Sequence, residues 1–197
     1  MSIVGVKIRS EHLKKLLLFS MSAMIRKIIS RFSTLFSSSS GHRSQTPSAY
    51  KRRNGQSIPV DEAFIAWTTG SLDQMIDAAE SDTHPVDRHF LLQRIVQESY
   101  KLRKSKKYRD ICLEFAERHF TEFDELSLSL KKEMDDMLPR VTVFQQYATV
   151  LTEIDDFDRA IKVCEKAIEH QLHDGTKSGF PGRIHRIKKK IKSGPIG

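Results

Sequence analysis

This sequence contains few of the residues that mark a disulfide-rich or metal-binding protein. It has two cysteines, Cys112 and Cys164, in 197 residues, and each occupies an apolar position of a predicted helix. A disulfide framework needs a denser cysteine pattern, and a zinc site needs more ligands nearby. His170 and His173 lie one helical turn apart, but no third ligand follows at a recognised spacing. We therefore expect two buried, reduced thiols, no metal and no cofactor.

Catalytic signatures are also missing from the sequence. It has no glycine-rich phosphate loop, no nucleophile elbow and no pair of histidines at the spacing of zinc proteases. Catalytic groups can still converge from distant parts of a chain, so an enzyme without a recognisable signature stays open as an alternative. The sequence favours a protein that is not an enzyme.

No apolar stretch is long enough to span a bilayer. Residues 16–25 form an apolar run of ten without a charged residue, and no uncharged run in the sequence exceeds twelve, well short of the roughly 20 that a spanning helix needs. We therefore expect no transmembrane segment. The expected location is the cytoplasm, with the protein either free there or peripheral at a membrane.

Acidic residues are nearly absent from both ends of the sequence. Residues 1–57 contain eleven Lys or Arg and a single acid, and residues 175–197 contain seven Lys or Arg and no acid. The region between them has 24 acids and 15 bases, so its formal charge is −9. The net charge of +8 therefore describes the ends only. The chain is an acidic body between two basic segments.

Residues 1–57 have the composition of a segment outside the folded domain. Within it, residues 22–36 carry apolar side chains at helical spacing opposite a basic side, which predicts a basic amphipathic helix. Residues 37–57 are rich in Ser, Arg and Lys without apolar periodicity, which predicts a disordered linker. Three hypotheses fit residues 1–36: an anchor that lies on a membrane surface, a cleaved targeting peptide, or an unstructured extension.

From residue 58 onward the sequence predicts helices only, in a domain over 58–192 with a tail at 193–197. Ser71, followed three residues later by Gln74, has the pattern of a capping box at a helix N-terminus. No segment alternates with a two-residue period for long enough to predict a strand. The predicted helices cover about 60–67, 71–81, 86–104 and 106–120, a hairpin at 139–172 and a last helix from about 181, with a partly helical connector at 121–138.

The strongest pattern lies between Phe144 and Leu172, where two amphipathic helices are joined at Asp155 and Asp156. Small residues recur where the two helices have to approach each other closely, and bulky apolar residues lie between them. The pattern consists of Phe144, Tyr147, Ala148, Leu151, Ala160, Cys164 and Ala167. This hairpin resembles a tetratricopeptide repeat, in which bulky and small residues follow one another in this order along two antiparallel helices.

A weaker copy of the pattern precedes this hairpin by 49 residues. Ser99, Leu102 and Phe115 fit the corresponding roles, whereas larger or charged residues occupy the others. The resemblance is therefore good over 139–172 and weak over 90–120. It implies an all-α fold, a short solenoid of helical hairpins behind a disordered basic N-terminal segment.

In such repeats, the first helix of each hairpin lines a concave groove that holds a partner. The resemblance implies that eight residues line this groove here: Gln93, Val96, Tyr100, Arg103, Thr142, Gln145, Thr149 and Thr152. Amides and hydroxyls would hydrogen-bond the backbone of an extended peptide, and Arg103 would meet a carboxylate. The alternative is that these residues are ordinary solvated helix positions. The sequence thus favours a non-catalytic adaptor that binds a protein or peptide.

The basic ends support a different hypothesis. Residues 183–192 predict a helix with Ile184, Ile187 and Ile191 on one side and Arg or Lys on the other. Such a helix either covers the end of a repeat stack with a solvated face or binds phosphates. The alternative function is therefore a binder of nucleic acid or of an anionic membrane surface, with 22–36 as the segment that contacts the membrane.

We predict that a peptide of residues 22–37 becomes helical on anionic vesicles. Its basic side is attracted to the lipid head groups, while its apolar side is buried at the interface. Circular dichroism with and without vesicles measures this change, and neutral vesicles serve as the control. An unchanged spectrum on anionic vesicles would remove the membrane hypothesis for this segment.

Overall fold

The computed structural model describes residues 49–193, which form a two-stranded hairpin followed by seven helices. The strands are β1 (Tyr50–Arg53) and β2 (Gln56–Pro59). The helices are α1 (Glu62–Thr69), α2 (Leu72–Ala78), α3 (Pro85–Lys101), α4 (Lys106–Glu133), α5 (Val143–Glu153), α6 (Phe157–Glu169) and α7 (Gly179–Ser193). The predicted helical character of the body is thus confirmed. The predicted helix at 22–36, the first part of the predicted linker (37–48) and most of the predicted tail (194–197) lie outside the described residues.

The β-hairpin corrects two expectations, a disordered linker over 37–57 and a body without strands. Its strands are antiparallel, with Tyr50 opposite Pro59. Asn54 and Gly55 connect them with φ angles of 49° and 79°. A type I′ turn needs positive φ at both central residues, and Asn-Gly adopts this conformation readily. The Asn-Gly pair is the sequence signal that identifies this hairpin.

Side chains and proline determine where the first helices begin. Asp61 accepts a hydrogen bond from the backbone N–H of Phe64 at 2.8 Å at the start of α1. Ser71 and Gln74 form the predicted capping box at the start of α2, which is confirmed. Helix α3 begins at Pro85, whose fixed φ suits the first turn of a helix and whose missing N–H would have had no partner there.

Helix α4 continues through the region predicted to be a connector. It has 28 residues, so the prediction of a helix that ends near residue 120 is wrong. Phe123, Leu126 and Leu130 are buried at steps of three and four residues, whereas Leu128 is 69% exposed. The exposed Leu128 interrupts the apolar pattern, which hides the helical period in the sequence. The helix ends just before Asp135, which has a left-handed φ of 49°.

Helix α6 ends earlier than the sequence predicts. Its last residue is Glu169, and the left-handed residue after it is Gln171, with φ of 56°. The backbone N–H of Leu172 then donates to the carbonyl of Ala167 at 2.8 Å, as in a Schellman motif. Gly175 also has a positive φ, 81°, but it lies beyond this cap. The helix predicted to run to Leu172 therefore ends three residues earlier.

The helices contact one another in a repeating order. Helix α1 packs against α2 and α3, α3 packs against α4 and α5, and α5 packs against α4 and α6. The first helix of each hairpin thus contacts its own second helix and the first helix of the next hairpin. Helix α7 packs against α6. None of the helices between residues 49 and 193 combines the length and the apolar character that crossing a bilayer demands.

Small residues let α5 and α6 approach closely. Ala148, Ala160 and Ala167 have no exposed surface. The bulky members of the same pattern are also buried, with at most 1% of each residue exposed: Phe144, Tyr147, Leu151 and Cys164. All seven residues of the hairpin pattern therefore lie in the core.

We predict that Ala160→Trp destabilises the body, because no space for an indole exists at a fully buried alanine. The free energy of unfolding should fall by about 3 kcal/mol or more, measured by chemical denaturation and circular dichroism. Glu165→Trp, at an exposed position of the same helix, is the matched control and should change stability little. Equal stability of the two variants would contradict the close packing of α5 and α6.

Candidate functional site

Helix α3 exposes one narrow stripe of its surface. Nine of its 17 residues are buried. Seven of these have no exposed surface at all, among them the apolar residues Leu91, Leu92, Ile95 and Val96. Helices α1, α2, α4 and α5 all pack against α3, which accounts for this burial. The residues left at least partly accessible on one side are Phe90, Arg94, Gln97 and Lys101, spaced by four, three and four positions. This spacing places them along a single helical face.

A surface depression of about 370 Å³ lies on this stripe, between α1 and α3. We call it the α1–α3 groove. Its lining residues are Trp67, Thr68, Phe90, Gln93, Arg94 and Gln97. The rings of Trp67 and Phe90 are stacked, with centroids 5.0 Å apart and planes at 28°. The side chain of Arg94 is 53% exposed. The groove therefore combines an apolar aromatic surface with two carboxamides and a guanidinium.

The two glutamines of the groove also hold the start of α5. The carboxamide oxygen of Gln93 accepts a hydrogen bond from the backbone N–H of Thr142 at 2.9 Å. The carboxamide nitrogen of Gln97 donates to the hydroxyl of Thr142, also at 2.9 Å. The second amide atom of each glutamine, Nε2 of Gln93 and Oε1 of Gln97, has no hydrogen-bond partner within residues 49–193. The amide nitrogen of Gln93 and the amide oxygen of Gln97 therefore remain available to hydrogen-bond a ligand.

Three other predicted groove residues lie in α3 or just after it and make contacts within the protein: Val96, Tyr100 and Arg103. Val96 is fully buried, so it packs in the core and does not line a surface. Arg103 binds both carboxylate oxygens of Glu153 at 3.0 to 3.1 Å. Its guanidinium also lies 3.9 Å from the centre of the Tyr100 ring. Because Arg103 already binds a carboxylate of the protein, it is not free to receive one from a ligand.

The predicted groove residues of α5 are half-buried and partly covered by α7. The hydroxyl of Thr149 donates to the carbonyl of Gln145 at 2.7 Å and accepts from Arg183 of α7 at 2.9 Å. The hydroxyl of Thr152 donates to the carbonyl of Ala148 at 2.6 Å. Both hydroxyls donate to carbonyls of their own helix, and the hydroxyl of Thr149 also accepts a hydrogen bond from α7. Of the eight predicted groove residues, only Gln93 lines the α1–α3 groove, and Thr142 hydrogen-bonds two of its lining residues, Gln93 and Gln97.

The sequence interpretation missed the aromatic side of the groove. Neither Trp67 nor Phe90 is among the predicted groove residues, and the sequence pattern does not pair α1 with α2 as a hairpin. The signal lies in the order of elements, since α1 and α2 precede α3 just as α3 and α4 precede α5. The short length of α1, eight residues, hides this relation in the sequence.

A buried carboxylate fixes the position of Trp67. Asp87 of α3 has a fully buried side chain. It accepts hydrogen bonds from Arg53 at 2.6 and 3.0 Å and from the indole N–H of Trp67 at 3.1 Å. The ammonium of Lys51 lies 2.9 Å from the same carboxylate. Burial raises the pKa of Asp87, but these hydrogen bonds outweigh it, so the pKa lies below its ordinary value. The β-hairpin and α1 are thereby attached to α3.

A second buried polar pair lies between α3 and α4. The Nε2 atom of His119 and the Nδ1 atom of His89 are 2.9 Å apart, and neither residue has exposed surface. The ring of Phe123 lies 5.2 Å from that of His119. Burial lowers the pKa of His89 to about 4 and holds the pKa of His119 well below its ordinary value. Both imidazoles are therefore neutral at pH 7, one donating to the other.

The cysteines and the C-terminal histidines are engaged inside the protein. Cys112 and Cys164 are buried and unpaired, and burial raises their pKa values to about 11 and about 12. Both are therefore protonated thiols at neutral pH. His170 contacts Asp124 at 2.8 Å, and His173 accepts from a backbone N–H. Among the described residues, no three His, Cys, Asp or Glu side chains are grouped so as to hold a metal ion.

Comparison with known proteins finds no similar protein: no family model, no curated protein and no solved structure matches this chain. The function therefore has to be inferred from the chemistry of the surface. Two depressions of residues 49–193 combine apolar, hydrogen-bonding and charged groups. One, of about 310 Å³, is lined by residues 138–141 and by Gln171, Leu172, His173 and Gly175. The α1–α3 groove, of about 370 Å³, differs from it in having a stacked pair of aromatic rings.

We predict that the buried histidine pair makes stability depend on pH. An unfolded histidine has a pKa of about 6.5, whereas His89 in the folded protein has a pKa of about 4. Below pH 6.5 the unfolded chain therefore binds protons that the folded chain does not. The free energy of unfolding should fall as the pH decreases from about 6.5 towards 4, by up to about 1.4 kcal/mol per pH unit for each histidine.

Chemical denaturation at several pH values between 4 and 7 measures this slope. The double variant His89→Gln/His119→Gln is the control, because glutamine keeps a donor and an acceptor but does not titrate. Its stability should change less with pH than that of the wild type. The same slope in both proteins would mean that other groups, and not this pair, determine the acid sensitivity.

Proposed function

We propose that the protein is a non-catalytic adaptor that binds a segment of a partner protein in the α1–α3 groove. The observation that carries this proposal is the stacked pair Trp67 and Phe90 beside the exposed guanidinium of Arg94. Aromatic rings provide much contact area at little conformational cost, and a guanidinium pairs well with carboxylates. The groove thus offers an apolar contact and a charged one within one depression.

The order of helix contacts supports a short solenoid similar to tetratricopeptide repeats. Helices α1, α3 and α5 are the first helices of three successive hairpins, and neighbouring first helices are in contact. In a solenoid of this kind, first helices line one concave side, on which partners bind. The α1–α3 groove lies between two first helices, as this arrangement requires. We propose that α7 closes the stack, since it packs against α6 and hydrogen-bonds α5.

The chemistry of the groove specifies its occupant. A bulky aromatic or aliphatic side chain would pack on Trp67 and Phe90. The free amide atoms of Gln93 and Gln97 would hydrogen-bond the backbone of an extended peptide. Arg94 would pair with an acidic residue of the peptide. Its own partner Glu98 lies 3.4 Å away in a largely exposed pair, which is worth little and is readily exchanged. The occupant is therefore an extended acidic segment with one bulky apolar side chain.

The composition of the groove favours binding over catalysis. Its six side chains are two aromatic rings, two carboxamides, a hydroxyl and a guanidinium. None of them is a His, Asp, Glu, Lys or Cys that would act as a general acid or base near neutral pH. A volume of about 370 Å³ is at the small end of ligand pockets, which suits one side chain with its flanking backbone.

Two reduced thiols are typical of the cytoplasm, where we place the protein.

We predict that a random peptide library panned on the full chain enriches acidic sequences with one bulky apolar residue. Binding of a selected peptide, measured by isothermal titration, should weaken about tenfold or more in Arg94→Glu, because an attraction becomes a repulsion across the groove. Thr68→Trp should weaken it similarly, because an indole at this position fills the depression.

Two variants serve as matched controls. Lys107→Glu makes the same charge change at an exposed residue of α4, and Thr69→Trp adds an indole next to the groove at another exposed position of α1. Both should bind the selected peptide as the wild type does. Enrichment of peptides whose affinity is unchanged in Arg94→Glu and Thr68→Trp would place the binding site elsewhere and overturn the proposal.

A further inference from the structure

Helix α7 carries six basic residues and no acidic one. Two of them form ion pairs within the protein. Arg183 hydrogen-bonds Thr149 and lies 3.3 Å from the carboxylate of Asp174, and Lys190 lies 2.9 Å from Asp155. The other four are exposed and have no carboxylate partner within residues 49–193: Arg186, Lys188, Lys189 and Lys192. We call these four the α7 basic face.

The α7 basic face takes little part in packing, since its one hydrogen bond to another side chain of the described residues joins the guanidinium of Arg186 to the hydroxyl of Ser178 at 3.1 Å. Helix α7 is held to the body by Phe180 and Ile187, which are 1% and 3% exposed, and the four basic residues are directed away from this side. Lys188 and Lys192 are four positions apart, and Lys189 is three positions from Arg186 and from Lys192. Like charges at these spacings repel one another and destabilise a helix. The end of the helix dipole favours basic residues in the last turn only, so it does not explain Arg186 or Lys188.

We infer that the α7 basic face binds the phosphate backbone of a nucleic acid, independently of base sequence. Arg186 and Lys192 are separated by six residues, which is about 9 Å along a helix axis. A DNA duplex carries one phosphate per about 1.7 Å of its axis, so about five phosphates lie within that length. A bound polyanion would relieve the repulsion among the four side chains and release its own counterions.

The position of the apolar residues separates a nucleic acid from a membrane. A helix that lies on a bilayer inserts an apolar face between the lipid chains. In α7 most of that face is already occupied, because Phe180 and Ile187 pack against the body. Ile191, 44% exposed, is the one large apolar side chain of α7 left at the surface, which is too little for insertion between lipid chains. The only Phe, Tyr or Trp of α7 is the buried Phe180, so the imidazole of His185 is the one exposed ring, too few for a base-stacking platform. Contacts to phosphates alone give affinity without sequence specificity.

Fluorescence anisotropy of a short labelled DNA duplex with the full chain tests this inference. The variant Arg186→Gln/Lys188→Gln/Lys189→Gln/Lys192→Gln removes the α7 basic face. Its affinity at low salt should fall about tenfold or more, and its slope of log K against log salt should be flatter by about 3 to 4. The thermal stability should not fall, because the substitutions remove only repulsion. A labelled single-stranded RNA should show the same loss.

A charge-matched control separates a local site from net charge. Lys104→Gln/Lys107→Gln/Lys131→Gln/Lys132→Gln removes four exposed charges outside α7 and should leave affinity nearly unchanged. An equal loss in both variants would show that net charge alone attracts the duplex. No loss in the first variant would show that other basic segments bind it. Loss of binding to phosphatidylserine vesicles with duplex binding intact would identify a membrane site. Each of these results would overturn the inference.

Discussion

The arrangement of residues 49–193 depends on the burial of helix α3. Leu91, Leu92, Ile95 and Val96 have no exposed surface, and each buried side chain of this kind contributes about 1.5 to 3 kcal/mol of transfer free energy. Together with Val86, His89 and Gln93, which are also buried, they cover most of the helix circumference, and α1, α2, α4 and α5 all pack against α3. Every hairpin among the described residues therefore takes its position, directly or through α5, from this one helix.

This burial also determines where a binding surface can exist. A helix covered on most sides keeps only one stripe for a ligand, and in α3 that stripe faces α1. The carboxylate of Asp87 then orients the indole of Trp67 beside this stripe. It accepts a hydrogen bond from the indole and also binds Arg53 and Lys51. Burying these charges costs desolvation free energy, so apolar replacements would pack as well. The directional hydrogen bond to Asp87, with the edge contact of Phe64, holds the indole in one orientation beside Phe90.

Local patterns in the sequence predicted the helices, and tertiary contacts account for what was missed. The capping box at Ser71 involves neighbours along the chain, so it is readable from the sequence alone. The strands were missed because they have only four residues each and lie in or next to a basic, Ser-rich segment. The one sequence signal for them is the turn pair Asn54-Gly55. The continuity of α4 was missed because Leu128 is exposed. The depression between α1 and α3 was not predicted, because the contacts that bring its walls together are long-range; Asp87 and Arg53, for example, meet across 34 residues.

The two proposed surfaces differ in how salt affects them. Arg183 and Lys190 tie α7 to the body through partly exposed ion pairs, and pairs of this kind contribute only about 0 to 1 kcal/mol. Phe180 and Ile187 supply the larger part of the contact, and apolar burial is not screened by salt. Helix α7 therefore stays in place at a salt concentration that screens its basic face. The stacked rings of the α1–α3 groove likewise keep their apolar contact, so raising salt would release a nucleic acid from α7 while a peptide remains bound in the groove.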